Sequence, residues 1–112
     1  MASLRDDIDP ARRITSDHSA DWKRLDVTVL QELVLRPLFG IGPDDPHSLE
    51  RLSFTTDERR ALEVDRADAA FIVAPTRMEQ LRAVALAGET MPQKSTYFYP
   101  KLLSGLLFRS LD

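Results

Sequence analysis

The stretch LDVTVLQELVLRPLFGI, Leu25 to Ile41, constrains the chain most, because it joins a helical apolar period to a proline near its end. Leu30, Leu33, Val34 and Leu38 recur at the spacing of one helix face. Asp26 is suited to cap the helix, and Leu25 before it can staple against Leu30. Pro37 has no backbone N–H to donate, so the helix is expected to kink or end near Arg36, and Gly40 can close it. The following GIGPDDPHS is loop by composition.

Beyond that loop the pattern alternates. LERLSF gives a short strand with Leu52 and Phe54 on one face, and a brief helix follows, opened by Thr55 with Glu58 three residues on. AAFIVAP, bounded by Asp68 and Pro75, has the apolar density of a buried central strand. A helix from Thr76, with Glu79 completing a second capping box, would bury Met78, Leu81 and Ala85 and stop at Gly88. STYFY and GLLFRSL, with PKLLSG between them, then read as a C-terminal β-hairpin. The fold class expected is α+β: a small sheet of about four strands with helices packed on it, in the order αβαβαββ.

Residues 1–24 differ from the rest. They hold five Asp and five Lys or Arg and few large apolar groups, so they are expected to form a flexible charged arm, with Trp22 available to dock. Residues 25–112 would form one small domain, which at this length has a real but modest core. A net charge of -3 argues against nucleic acid as a partner, since such a partner needs a basic face. No apolar run approaches the roughly 20 residues that span a bilayer, and MASLRDDIDPARR lacks the apolar centre of a secretory signal. A cytoplasmic location is the default expectation. The absence of cysteine excludes disulfides, thiol catalysis and thiolate metal sites.

Chemistry-bearing residues are sparse. His18 lies in the charged arm and His47 in an Asp/Pro turn, where Asp44, Asp45 and His47 read as a solvated turn rather than a metal site. No phosphate loop, nucleophile elbow or paired-histidine motif is present, and no acid/base pair that would make an enzyme of this chain. The densest polar stretch is KSTYFYPK. Lys94 and Lys101 supply ammonium groups, and Ser95, Thr96, Tyr97 and Tyr99 supply hydroxyls, a combination able to hold a phosphate or carboxylate. Arg77 adds one further anion contact. The competing reading is that the aromatic residues of a strand pack and their hydroxyls face water.

The segments LDVTVLQELVLRPLFGI and AAFIVAPTRMEQLRAVALAGETMPQKSTYFYPKLLSGLLF together resemble the C-terminal end of the domain-of-unknown-function 1015 family, whose members carry ParB-like or SpoOJ-like labels. The resemblance covers roughly residues 22 to 109 and is densest from Met91 to Lys101. It implies that the chain is either a C-terminal fragment of a longer protein or a short paralogue that has lost the main domain, and that it lacks the Asp-Gly-His-His-Arg motif of full-length members. It further implies an accessory role in which Lys94, Ser95, Thr96, Tyr97, Tyr99, Lys101 and Arg77 face an anionic or nucleotide-like small molecule, with the cofactor unspecified. Two alternatives accompany it: a subunit-association domain pairing with a missing N-terminal domain or with itself, and the remnant of a small-molecule kinase.

Overall fold

The computed structural model describes residues 4–42, 44–63, 67–92 and 95. About 46% of the described part is helical and none of it is strand. The elements are α1 (Pro10–Arg13), α2 (Ala20–Lys23), α3 (Asp26–Val29), a π-helical segment (Leu30–Leu35), α4 (Arg36–Phe39), α5 (Pro46–Leu49), α6 (Glu58–Leu62) and α7 (Met78–Leu86). The α+β expectation is therefore corrected. AAFIVAP forms neither strand nor helix and pairs with no strand among the described residues, and Phe71, Ile72 and Val73 are exposed. The physical reason is that no neighbouring strand is present among the described residues. A central strand needs backbone partners at its edges, whereas LERLSF begins inside α5 and continues as turn and coil. The expected hairpin falls almost entirely outside the described residues.

Residues 26–39 form one uninterrupted helical rod, because Leu30, Leu35 and Arg36 all keep right-handed helical backbone at the junctions. The expected break near Arg36 does not occur. Instead the ladder widens one turn before Pro37, and the Arg36 N–H bonds to the carbonyl of Gln31, five residues back. A π-type turn relieves the crowding that a proline ring creates against the preceding turn, so the helix passes Pro37 without breaking. It also adds a residue to the turn and rotates the face beyond it. Leu35 is consequently buried, while Leu38, expected on the core face, is exposed. Gly40 ends the rod as expected, at φ +64°, and the Ile41 N–H reaches back to the Leu35 carbonyl at 3.0 Å.

The short helices are fixed by side-chain caps. Asp9, Ser19, Asp45 and Asp57 each accept a backbone N–H at the start of α1, α2, α5 and α6. Thr55 is thus not the cap of α6; its hydroxyl accepts the Asp57 N–H at 3.1 Å and presents Asp57 for that task. The cap of α7 is Arg77 rather than Thr76, and the Gln80 side chain accepts the Arg77 N–H at 2.9 Å. Of the expected buried stripe of α7, Leu81 is half-buried and Met78 and Ala85 are exposed, and Val84 is the buried residue.

Buried apolar residues are drawn from across the chain: Ile14, Leu25, Leu35, Ile41 and Val84. Helix α2 packs against α1, α3 and α7, which brings residues 10–29 beside residues 78–86. Leu25, at 1% exposure, links α2 to the rod, so Leu25→Ala should lower unfolding free energy by roughly 2–5 kcal/mol. Leu86→Ala, at a position 77% exposed, should stay within about 0.5 kcal/mol of wild type. Urea denaturation of both variants checks the contrast, and equal losses would contradict the assignment of the core.

Candidate functional site

Helix α7 ends in a Schellman turn. Gly88 adopts φ +73°, its N–H bonds to the Ala85 carbonyl at 3.0 Å, and the Glu89 N–H bonds to the Val84 carbonyl at 3.1 Å. The turn delivers the Glu89 side chain to the start of α2. There Oε1 accepts the Ser19 N–H at 2.9 Å and faces His18 Nδ1 at 2.9 Å, while Oε2 accepts the Ser19 hydroxyl. An ionised carboxylate only accepts, so His18 Nδ1 must carry a proton. The Trp22 indole N–H donates to the Thr90 carbonyl at 3.1 Å, and the His18 ring stacks on the indole with centroids 3.9 Å apart at 15°. Three residues from the first quarter of the chain, His18, Ser19 and Trp22, and two from beyond α7, Glu89 and Thr90, thus form one clasp.

A serine, a histidine and a carboxylate in contact invite comparison with a hydrolytic triad, but the order is wrong. Glu89 lies between Ser19 and His18, so no imidazole is placed to take the serine proton. The Ser19 oxygen is also occupied as a cap, accepting the Trp22 N–H at 3.2 Å. The cluster is a structural fastening.

The His18–Trp22 stack forms one end of a groove of about 560 Å³. The rod supplies one wall through Val27, Leu30, Gln31, Glu32, Leu35 and Arg36, and Ile41, Gly42, Leu52 and Phe54 supply the other. The wide turn before Pro37 explains why Leu35 and Arg36 both reach the same wall as Gln31. The volume lies in the range of small-molecule sites, roughly 300–1,000 Å³, and the lining has their usual character of apolar surface with few polar groups. At the far end Arg36 Nη2 lies 3.4 Å from Glu32 Oε1 and 3.7 Å from Asp44 Oδ2.

The residues singled out in the sequence are only partly brought to this groove. Pro92, at the start of the polar stretch, lines it beside Trp22. Ser95 is half-buried, its hydroxyl and N–H both donate to the Pro92 carbonyl, and its own carbonyl accepts the Thr76 hydroxyl at 2.8 Å. Arg77 is exposed at the start of α7 and does not line the groove. Lys94, Thr96, Tyr97, Tyr99 and Lys101 lie outside the described residues. His18, Trp22, Glu32 and Arg36 were not singled out as site residues. The one usable signal was the shared face of Val27, Gln31 and Leu35, four residues apart.

Helix α5 fixes the Asp44 end. Asp45 accepts the His47 N–H at 3.0 Å and the Ser48 hydroxyl at 2.7 Å, which hold its carboxyl below the ordinary value of 3.8. No family model, no curated protein and no solved structure matches the chain. Among the described residues, no helix is long and apolar enough to cross a membrane.

The clasp has a titration signature. Hydrogen bonds from Ser19, reinforced by His18, hold the Glu89 carboxyl below the ordinary glutamate value of 4.5. A lowered folded value means that the unfolded chain binds the proton more readily, so this contribution to stability is complete above about pH 4.5 and fades as pH falls through the folded value. Glu89→Gln should therefore unfold at lower urea than wild type at pH 7, and the two midpoints should converge in acid. A gap independent of pH would remove the charge from the account.

Proposed function

We propose that this chain is a small-molecule binding module, not an enzyme in its own right, and that the groove between the rod and residues 41–54 receives a ligand with an apolar body. The observation that carries this is the groove itself, lined mainly by Val27, Leu30, Leu35, Ile41, Leu52 and Phe54. An accessory role fits such a module, because the groove offers burial and orientation, while its titratable side chains are already paired, His18 with Glu89 and both Glu32 and Asp44 with Arg36. The anionic ligand expected from KSTYFYPK is tied to lysines outside the described residues, and the described groove does not depend on it.

A second reading draws on a separate observation. Phe71, Ile72, Val73, Met78 and Leu86 are all exposed, an unusual density of large apolar groups on a short segment. Association of the chain with a further subunit would cover them. Light scattering at falling protein concentration tests that reading, and a monomer at every concentration speaks against self-association.

Trp22 is the sole tryptophan and lines the groove, so its emission reports occupancy directly. Titration with the uncharged probe N-phenyl-1-naphthylamine should give saturable energy transfer from Trp22. Gly42 offers a clean way to block the groove. Its backbone is not left-handed, and a Cβ there would meet only Arg36 Nε, at an ordinary 3.9 Å. Gly42→Leu should fold like wild type and bind the probe at least about tenfold more weakly, the equivalent of about 1.4 kcal/mol. Unchanged binding in this variant would move the ligand elsewhere.

A further inference from the structure

We infer that the ligand of this groove is a linear amphiphile with a cationic head, an alkylammonium, whose ammonium is held at the Glu32–Asp44 end. The inference rests on the binding role proposed above and adds the chemistry of the ligand.

Shape supports the linear body. The wall from Val27 to Arg36 covers nine helical steps, which would span about 13 Å as α-helix and span less with the π turn among them, close to the reach of an extended chain of about eight to ten carbons. Its lining of Val27, Leu30, Leu35, Ile41, Leu52 and Phe54 offers methyl, methylene and ring carbon, and Gln31 is the single uncharged polar side chain among them. The His18–Trp22 stack closes the other end. Both rings are held by hydrogen bonds, to Glu89 and to the Thr90 carbonyl, so that end is a fixed wall.

Charge decides the head. Two carboxylates, Glu32 and Asp44, share one guanidinium, and both approach the same nitrogen of Arg36. With His18 neutral, the described residues of the lining carry one negative charge more than positive. A monocation brings it to neutrality, whereas a carboxylate would raise the imbalance to two. Glu32 is the stronger anchor. Its side chain is 19% exposed against 88% for Asp44, so its charge is less screened by water and gains more from a second partner. Its bond to Arg36, at 3.4 Å, is long for a charged pair and leaves Oε2 without a hydrogen bond among the described residues.

The test is displacement of N-phenyl-1-naphthylamine by octylammonium, octanoate and octanol, which share one chain and differ in charge. Octylammonium should displace best, about fivefold to tenfold better than octanol, with octanoate weakest, as for one partly exposed charge pair. Added salt should narrow the spread. Glu32→Gln should remove the advantage of the ammonium, and Arg36→Gln should enlarge it. Octanoate binding as well as octylammonium, or an ammonium advantage that survives Glu32→Gln, would overturn the assignment. If none of the three displaces a probe that still responds to Gly42→Leu, the alkylammonium is wrong and the binding role stands. If the probe itself does not bind, the binding role fails first.

Discussion

The Glu89 carboxylate holds the two ends of the described chain together. Its backbone closes the Schellman turn of α7, and its side chain takes three donors at the start of α2. Helix α2 has only four residues and could not persist alone, since an isolated helix of that length never recovers the cost of nucleation. It exists because Ser19 caps it, Glu89 holds Ser19, and Trp22 bonds to Thr90. The clasp in turn orients the stacked rings of His18 and Trp22, so the fastening and one wall of the groove are the same object.

The other wall depends on how the chain handles Pro37. A regular helix would have to break or kink there, and the rod instead takes one wide turn. That turn costs hydrogen-bond quality but keeps fourteen residues, 26–39, in line, and it rephases the face beyond it. Leu35 then contributes to the core and Arg36 to the groove. Arg36 pairs there with Glu32, at ordinary i,i+4 helical spacing, and with Asp44 beyond the rod.

How far the sequence revealed this varied with the range of the forces involved. The stop of the rod at Gly40 and of α7 at Gly88 follow from backbone preferences of one or two residues, whereas Asp26, expected as the cap of the rod, is its first helical residue behind Leu25, which makes no side-chain cap bond. Cap positions slipped by a residue or two where neighbouring residues competed, as Thr55 did with Asp57 and Thr76 with Arg77. The π turn escaped because a 3.6-residue period carries no mark of a widened ladder. The sheet was misjudged because AAFIVAP has the composition of a buried strand, while pairing depends on a neighbour that composition cannot supply. Glu89, one acidic residue after a helix stop, gave no local sign of its partners 70 and 71 residues away. The groove was invisible for the same reason, since its walls meet only in three dimensions.

The separation spanned by the clasp bears on what the chain tolerates over evolutionary time. The entropy of closing a loop grows only with the logarithm of its length, about 0.6 kcal/mol for each doubling. Residues 55–75 contribute no buried side chain among those described and hold only the short α6. Lengthening or shortening that stretch should barely disturb the fastening, while a single change at Ser19 or Glu89 strikes it directly. Related chains are thus expected to diverge in length between the rod and α7 and to keep a serine and an acid at its two ends.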